Sequence, residues 1–313
     1  MNKCLVLGAN GFLGSQIVDY LASQNNTVRA FDKYIDSNTR FTKSKNVELL
    51  HGEFLNEADI SDALEDIDFV FHFISTTTPI SSEDNPLIDV DTNIRYSVEL
   101  FQRCVEKKIK KVIYASSGGS IYGNVNNSLI SEDTATNPIS PYAIGKLTIE
   151  KFLGYFREKH ELESVVYRIS NPYGKGQSIN AKQGVIPIFL HHVINDEPIT
   201  VFGDGKMIRD YIYVSDVAKM ICETYENATS NIYNIGSGKG ISINELIEVI
   251  ESVTGKEVKV LHKQAPSTFV EKNVLDIYRF IEEFGIKPIV DIESGIKKTW
   301  DHFIQAEADT YVP

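Results

Sequence analysis

Three glycines set the tightest constraint on what this chain can fold into. Gly8, Gly11 and Gly14 stand in "LVLGANGFLGSQIV", directly after an apolar run from Cys4 to Leu7, and the segment they open carries Ile17, Val18 and Leu21 at helical spacing. Strand, glycine turn and helix in that order let backbone N–H groups approach a pyrophosphate and leave it at the positive end of the helix. Glycines alone mark many ordinary turns. Here a second element agrees, because Asp32 ends the next apolar run, eighteen residues beyond Gly14. A carboxylate there accepts hydrogen bonds from adenosine ribose hydroxyls and repels a 2′-phosphate. The two features predict a dinucleotide site that prefers NAD to NADP, although the adjacent cation Lys33 softens that discrimination.

The same rhythm continues through residue 172. Residues 27–31, 47–50, 69–74, 112–115 and 165–169 read as further strands, rich in unbroken Val, Ile and Phe and separated by helical patterns. Strands apolar on both faces and alternating with helices predict a Rossmann-type, doubly wound parallel sheet of the α/β class. Over residues 173–313 the pattern changes. Short strands at 199–202, 211–214 and 232–235 mix with helices such as 242–254, where Ser242 and Glu245 form a capping-box pattern. This predicts a smaller mixed α/β lobe that binds substrate, with room for the chain to return to the first domain.

Charge narrows the classes of partner. Lys+Arg 31 against Asp+Glu 43 gives a net charge of -12, which disfavours nucleic acid and acidic membrane surfaces as partners, so an anionic ligand needs local cations. No apolar stretch reaches membrane-spanning length, and the first residues lack the pattern of an export leader. Cys4, Cys104 and Cys222 lack ligand-like spacing, so neither a disulfide framework nor a metal site is expected. A cytoplasmic location follows as the expectation.

The stretch "SPYAIGKL" carries the chemistry. Ser140 before Pro141 reads as an N-cap with proline at the first helical position, followed by a buried stripe at Ile149, Phe152, Leu153 and Phe156. Tyr142 and Lys146 then share one face, one turn apart. An ammonium at that spacing favours the ionised phenol, lowering a pKa that is about 10 when unperturbed and giving a usable base. The competing reading, a core tyrosine beside a solvated lysine, loses its advantage once the dinucleotide loop upstream is counted.

With these in place, "GANGFLG", Asp32, "HGEFLN", "FVFHFIS", "YASSGGSIYG", "SPYAIGK", "RISNPYG" and "RDYIYVSDVA" make the chain resemble the extended short-chain dehydrogenase/reductase superfamily over nearly its whole length. Within it the resemblance is to the NAD-dependent nucleotide-sugar epimerases and dehydratases, typified by UDP-galactose (UDP-glucose) 4-epimerase. The resemblance implies that Tyr142 is the catalytic base and that Lys146 assists it and holds the nicotinamide ribose. It further implies a cofactor set of Gly8, Gly11, Phe12, Leu13, Gly14, Asp32, Glu53, Phe54, Phe73, Ile74, Ser75, Asn93 and Ser116 beside that pair, with Glu53 and Phe54 at the adenine. For the substrate it implies Ser117, Gly118, Asn171, Val185, Phe202 and Arg209. Arg209 grips the diphosphate in this reading; the rival is a surface salt bridge.

Three departures from the family pattern carry weight. The hydroxyl that the family places four residues before the tyrosine of its "YG" falls here on Gly118, so Ser117 is taken as the catalytic hydroxyl, with Ser116 and Ser120 in reserve. Gly118-Gly119 replaces the Asp-Glu pair of sugar dehydratases, which removes the proton carriers for loss of water and favours epimerisation. Asn273 stands where many members have a second arginine, and Lys272 is its possible substitute. The resemblance thus implies C4 epimerisation of a UDP-hexose or UDP-N-acetylhexosamine through a transient 4-keto sugar. Dehydration, reduction or decarboxylation at a 4-keto sugar stays open; a non-catalytic NAD-sensing regulator fits less well with an intact tyrosine and lysine. A homodimer is implied, through residues 85–107 and 141–160.

Overall fold

The computed structural model describes residues 1–33, 39–125, 128–177, 184–265 and 270–310. The chain divides into two compact units, Met1–Ile121 with Thr136–Arg168 and Ala218–Tyr233, and Tyr122–Ala135 with Ile169–Val217 and Asn234–Pro313. The chain leaves the first unit after Ile121, re-enters it at Thr136, leaves again after Arg168 and returns from Ala218 to Tyr233.

That sheet has seven strands. They are β1 (Lys3–Leu7), β2 (Thr27–Asp32), β3 (Val47–His51), β4 (Phe69–His72), β5 (Lys111–Ser117), β6 (Ser164–Ile169) and β10 (Ile232–Ile235), in the order β10-β6-β5-β4-β1-β2-β3. The pairings of β1 with β2 and β4, of β2 with β3 and of β4 with β5 are parallel. Strand order reverses between β1 and β4, and ligands of open α/β sheets bind beyond the carboxyl ends of the strands at that point. Gly8 and Phe73 lie there. β4 stops at His72, two residues short of its apolar run, because Phe73 N–H makes the last bond to Leu7 and the chain then leaves the sheet.

Three helices that matter to the site pack on this unit. α1 (Phe12–Ser23) buries Gly14, Ile17, Val18 and Leu21; α4 (Arg95–Glu106) buries Leu100, Phe101 and Cys104; α5 (Pro141–His160) buries Ala143, Ile149, Leu153 and Phe156. α4 and α5 meet Leu5, Leu7, Val70, Val112 and Tyr114 of the strands in one continuous core. Each such side chain contributes roughly 1.5–3 kcal/mol on leaving water. α5 begins as its sequence predicts, with Ser140 Oγ accepting from Ala143 N–H at 3.3 Å and Pro141 at the first position.

The second unit is built around β9 (Ile208–Tyr213), flanked by β7 (Asn171–Tyr173), β11 (Gly240–Ser242) and β13 (Lys272–Asn273). β8 (Ile199–Phe202) pairs separately with β12 (Val260–Lys263). β9 starts three residues before the apolar pattern does, since Asp210 is buried there. It accepts from Ser237 N–H (2.8 Å) and Oγ (2.6 Å), Gly238 N–H (3.2 Å) and Leu275 N–H (3.3 Å). α6 (Val185–Ile194), α8 (Ile243–Thr254) and α10 (Ile292–Thr310) close a core of Tyr173, Ile186, Leu190, Val201, Tyr213, Leu246 and Phe303. The Ser242–Glu245 capping box forms. Among the described residues no helix is long and apolar enough to cross a membrane, and Cys4, Cys104 and Cys222 are buried as free thiols.

Candidate active site

The glycine turn is shaped by close approach. Gly8 has φ +82°, and its N–H and that of Ala9 donate to Phe31 O at 3.0 and 3.2 Å. A Cβ on Gly8 would come within 2.9 Å of the Ile74 backbone, and one on Gly14 within 2.0 Å of Gly8 O. No side chain caps α1 at Gly11, so the first N–H groups of the helix, at Phe12 and Leu13, are left for a ligand. Asp32 stands beside the turn, its Oδ2 accepting from Asn10 N–H at 2.8 Å and its Oδ1 from Lys33 N–H at 2.7 Å. Lys33 pairs with Glu53 at 2.5 Å, whereas Phe54 is 3% exposed and packs on His72 and Tyr96. The structure therefore puts Glu53 at the surface and Phe54 in the core.

Beyond β4, a hydroxyl-rich loop is tied down by one asparagine. Asn93 Oδ1 accepts from Thr76 N–H at 2.9 Å and its Nδ2 donates to Thr77 Oγ1 at 2.8 Å and Asp89 Oδ1 at 2.7 Å. The Asn93 amide is thereby engaged in holding residues 76–77. Ser75 is exposed and donates to Thr77 O at 3.0 Å.

At the end of β5 the three serines separate by their partners. Ser116 is buried and donates to Glu150 Oε1 at 2.5 Å, and Glu150 is in turn paired with Arg168 at 2.8 Å, both side chains 3% exposed. Ser117 is half-buried, and its Oγ accepts from Ser120 Oγ at 2.8 Å. Gly118 follows, buried.

Tyr142 and Lys146 share a face of α5, the ammonium 5.8 Å from the centre of the Tyr142 ring, 5.1 Å from that of Tyr114 and 3.0 Å from Ala115 O. By exposed area both residues are half-buried, yet the surrounding protein shields the polar atoms from most water. That loss of water pushes the phenol up to about 12, with the Asp89 charge adding to the rise, and holds the amine down to about 8 against the pull of Asp89 and Glu150. The expectation of a phenol lowered by its neighbour is thus corrected: desolvation and the Asp89 anion outweigh Lys146 here.

In the second unit, Asn171, Arg209 and Asn273 gather along β9. Asn171 Nδ2 donates to Asp210 O at 2.8 Å, and Asn273 is in register with Arg209. The half-buried Arg209 guanidinium donates to Ile208 O at 2.8 Å and Val270 O at 2.6 Å, and no carboxylate lies within 4 Å of it among the described residues. Burial pushes it down to about 10. Among the described residues Arg209 therefore makes no surface salt bridge. Val185 opens α6 half-buried against the second core, and Phe202 ends β8 at 44% exposed.

The profile of the NAD dependent epimerase/dehydratase family matches residues 4–236. The chain belongs to that family. A dTDP-4-dehydro-6-deoxyglucose reductase of Escherichia coli is 33% identical over 304 residues, covering 95% of this chain and 96% of its own. The crystal structure of a UDP-glucose 4-epimerase of Thermotoga maritima with UDP-glucose agrees with a TM-score of 0.91 at 30% identity, over 97% of this chain and 99% of that one. A UDP-N-acetylglucosamine 4-epimerase of Methanobrevibacter ruminantium in complex with UDP-N-acetylmuramic acid gives 0.90 at 30%, with the same coverage.

As a member of the family the protein is an NAD-dependent enzyme, and the Gly8–Gly14 turn with its uncapped helix fits a dinucleotide pyrophosphate. Sequence reasoning missed four polar groups around Tyr142 and Lys146: His72, Asp89, Glu150 and Arg168. Burial holds His72 down to about 3, leaving it neutral. Only Glu150 left a local signal, recurring one turn after Lys146 on the same face.

Proposed function

We propose that the protein is a nucleotide-sugar 4-epimerase acting on a UDP-hexose or UDP-N-acetylhexosamine. The observation that carries this reading is the pairing of Tyr142 and Lys146 on α5 beside a β5 end that offers hydroxyls and glycines but no acid pair. When bound, NAD supplies the acceptor and donor of hydride at the sugar carbon. The chain's own part is proton handling and orientation. Tyr142 Oη, in its ionised form, takes the proton of the sugar hydroxyl and returns it; the Lys146 charge favours that form against the burial and the Asp89 charge that raise the phenol. Ser117 accepts from Ser120, which leaves its own proton to donate to the sugar, whereas Ser116 spends its proton on Glu150. Arg209, whose partners among the described residues are the carbonyls of Ile208 and Val270, supplies local positive charge for a diphosphate in a chain of net charge -12. Asp32 is the group for the adenosine ribose, and Asn171, Val185 and Phe202 complete the nucleotide-sugar contacts.

The 33% identity to a 4-keto-sugar reductase supports a second reading, in which the same tyrosine delivers a proton while the cofactor is oxidised overall. One experiment separates the two. The protein is incubated with UDP-glucose, UDP-galactose and their N-acetylamino forms in the presence of NAD, and with dTDP-4-keto sugars in the presence of NADH, and products are followed by NMR with reduced nicotinamide followed by absorbance. C4 epimers without net change in reduced cofactor support epimerisation, and consumption of reduced cofactor with a keto sugar selects the reductase. Conversion of none of them removes both. The exposed apolar side chains Ile80, Val90, Ile144 and Tyr155 on the helical segments of the first unit support a homodimer, which light scattering checks.

A further inference from the structure

Asp89 is a buried acid that the chemistry above does not use. It opens a short π-helical segment, Asp89–Ile94, that runs into α4, and it is 3% exposed. Single π turns inside helices are rare and frequently mark functional positions. The carboxylate accepts from Thr77 Oγ1 and Asn93 Nδ2 at 2.7 Å each on one oxygen, and from Ser82 Oγ on the other. All three donors are neutral, and among the described residues no basic side chain lies within 4 Å. A charge held this way is costly unless another group gains from it.

The gain lies on α5. The helix crosses Asp89 at Gly145, where a Cβ would meet Asp89 Cβ at 3.4 Å and Oδ1 at 3.5 Å. Lys146 is the next residue and Tyr142 stands one turn earlier. The Asp89 charge favours the ammonium of Lys146 and disfavours the phenolate of Tyr142. Other titratable groups face the pair from the elements around it. Glu150, on α5, is already matched by Arg168 of β6. Tyr114 of β5 is raised well above its usual range, and His72 of β4 is held neutral by burial. Asp89 is thus the uncompensated anion beside the pair among the described residues.

We propose that Asp89 is a positioning residue for the Tyr142–Lys146 pair: its carboxylate sustains the charge on Lys146 and, through Thr77, Ser82 and Asn93, pins the loop after β4 beneath the start of α5. The proposal rests on the reading of Tyr142 and Lys146 as the proton-handling pair. Asp89 does not touch the reacting sugar; it acts through Lys146 and Tyr142.

The test uses Asp89→Asn, which keeps size and removes charge, and Asp89→Glu, which keeps charge. Turnover of the nucleotide sugar is measured against pH in the NAD-loaded enzyme. Loss of the anion makes the ammonium easier to deprotonate and the phenol easier to ionise, so both limbs of the profile move to lower pH in Asp89→Asn, by about half a unit or more. Asp89→Glu brings them back toward wild type. A purely structural acid lowers turnover at all pH values with the limbs unmoved, and that outcome overturns the proposal. A second measurement is independent of activity: protein carrying 13C at the lysine ε-carbons is titrated by NMR, with the Lys146 signal identified by its absence in Lys146→Met. Its midpoint, expected at about 8 in the wild type from the burial of the amine, should fall in Asp89→Asn. A shifted midpoint in a protein that converts no nucleotide sugar keeps the Asp89 assignment and sinks the proposed function. An unshifted midpoint in an active epimerase does the reverse.

Discussion

Lys146 donates to the carbonyl oxygen of Ala115 at 3.0 Å and thereby fastens α5 to the end of β5. The acceptor is neutral and the site sheds water, so the bond does not repay the cost of placing a cation there. Burial accordingly dominates the amine's titration, holding it to about 8 rather than 10.5.

This relationship predicts a trade between stability and activity at Lys146. The folded-state pKa of a base is lowered here, so between about pH 8 and 10.5 the unfolded chain binds more protons than the folded one. Stability therefore rises with pH across that window, and the penalty is complete below it. The full shift corresponds to as much as about 3 kcal/mol, and a half-buried side chain that also loses its Ala115 bond reduces that to roughly 1–2 kcal/mol. Lys146→Met is expected to unfold at a higher temperature than wild type at pH 7, to lose that advantage by pH 10, and to lose turnover by about 100-fold or more. Thermal unfolding at the two pH values checks the sign; a Met variant that is less stable at pH 7 contradicts it.

Arg209 leads to a prediction of the opposite kind. Its guanidinium is satisfied by the carbonyls of Ile208 and Val270 and is pushed down to about 10 by burial, so removing it relieves desolvation while leaving only carbonyls behind. Arg209→Met is expected to fold with stability within about 1 kcal/mol of wild type. A bidentate clamp on a diphosphate is worth roughly 1.5–3 kcal/mol, which is a tenfold to hundredfold weaker Kd for UDP. Uridine, which lacks the diphosphate, should bind both proteins alike, and Arg209→Lys should recover part of the loss. Calorimetric titration with the two ligands decides the matter, and equal losses for UDP and uridine would place Arg209 elsewhere.

How far the sequence carried the fold follows the range of the interactions involved. The glycine turn, the six strands before residue 170 and the start of α5 were readable because each depends on neighbours a few residues away, as Ser140 and Ala143 show. Asp210 was not, since its acceptor oxygens are met by Ser237, Gly238 and Leu275, and an aspartate in an apolar run looks like a strand end until those segments arrive. The same limit applied to the site. Spacing put Lys146 beside Tyr142 but said nothing of the water lost around them or of Asp89, which reaches α5 from a helical turn more than fifty residues upstream. Local pattern named the pair, and tertiary packing decided its charge.

Two glycines in helices test whether close approach or mere helix chemistry governs the cofactor turn. A methyl on Gly14 would meet Gly8 O at 2.0 Å, so α1 cannot keep its seat against the turn, whereas nothing lies within 4 Å of a Cβ on Gly154, in the body of α5. Alanine in a helix interior is favoured over glycine by about 0.8–1 kcal/mol. Gly154→Ala is therefore expected to raise the unfolding temperature by a few degrees and to leave the further rise on adding NAD unchanged. Gly14→Ala faces the same propensity gain and a backbone clash that exceeds it. Its unfolding temperature should fall, and the rise on adding NAD should shrink or vanish, because displacing α1 moves the N–H groups that the pyrophosphate needs. Should Gly14→Ala match Gly154→Ala in both measurements, the tight packing of Gly14 on Gly8 would have no part in holding the dinucleotide.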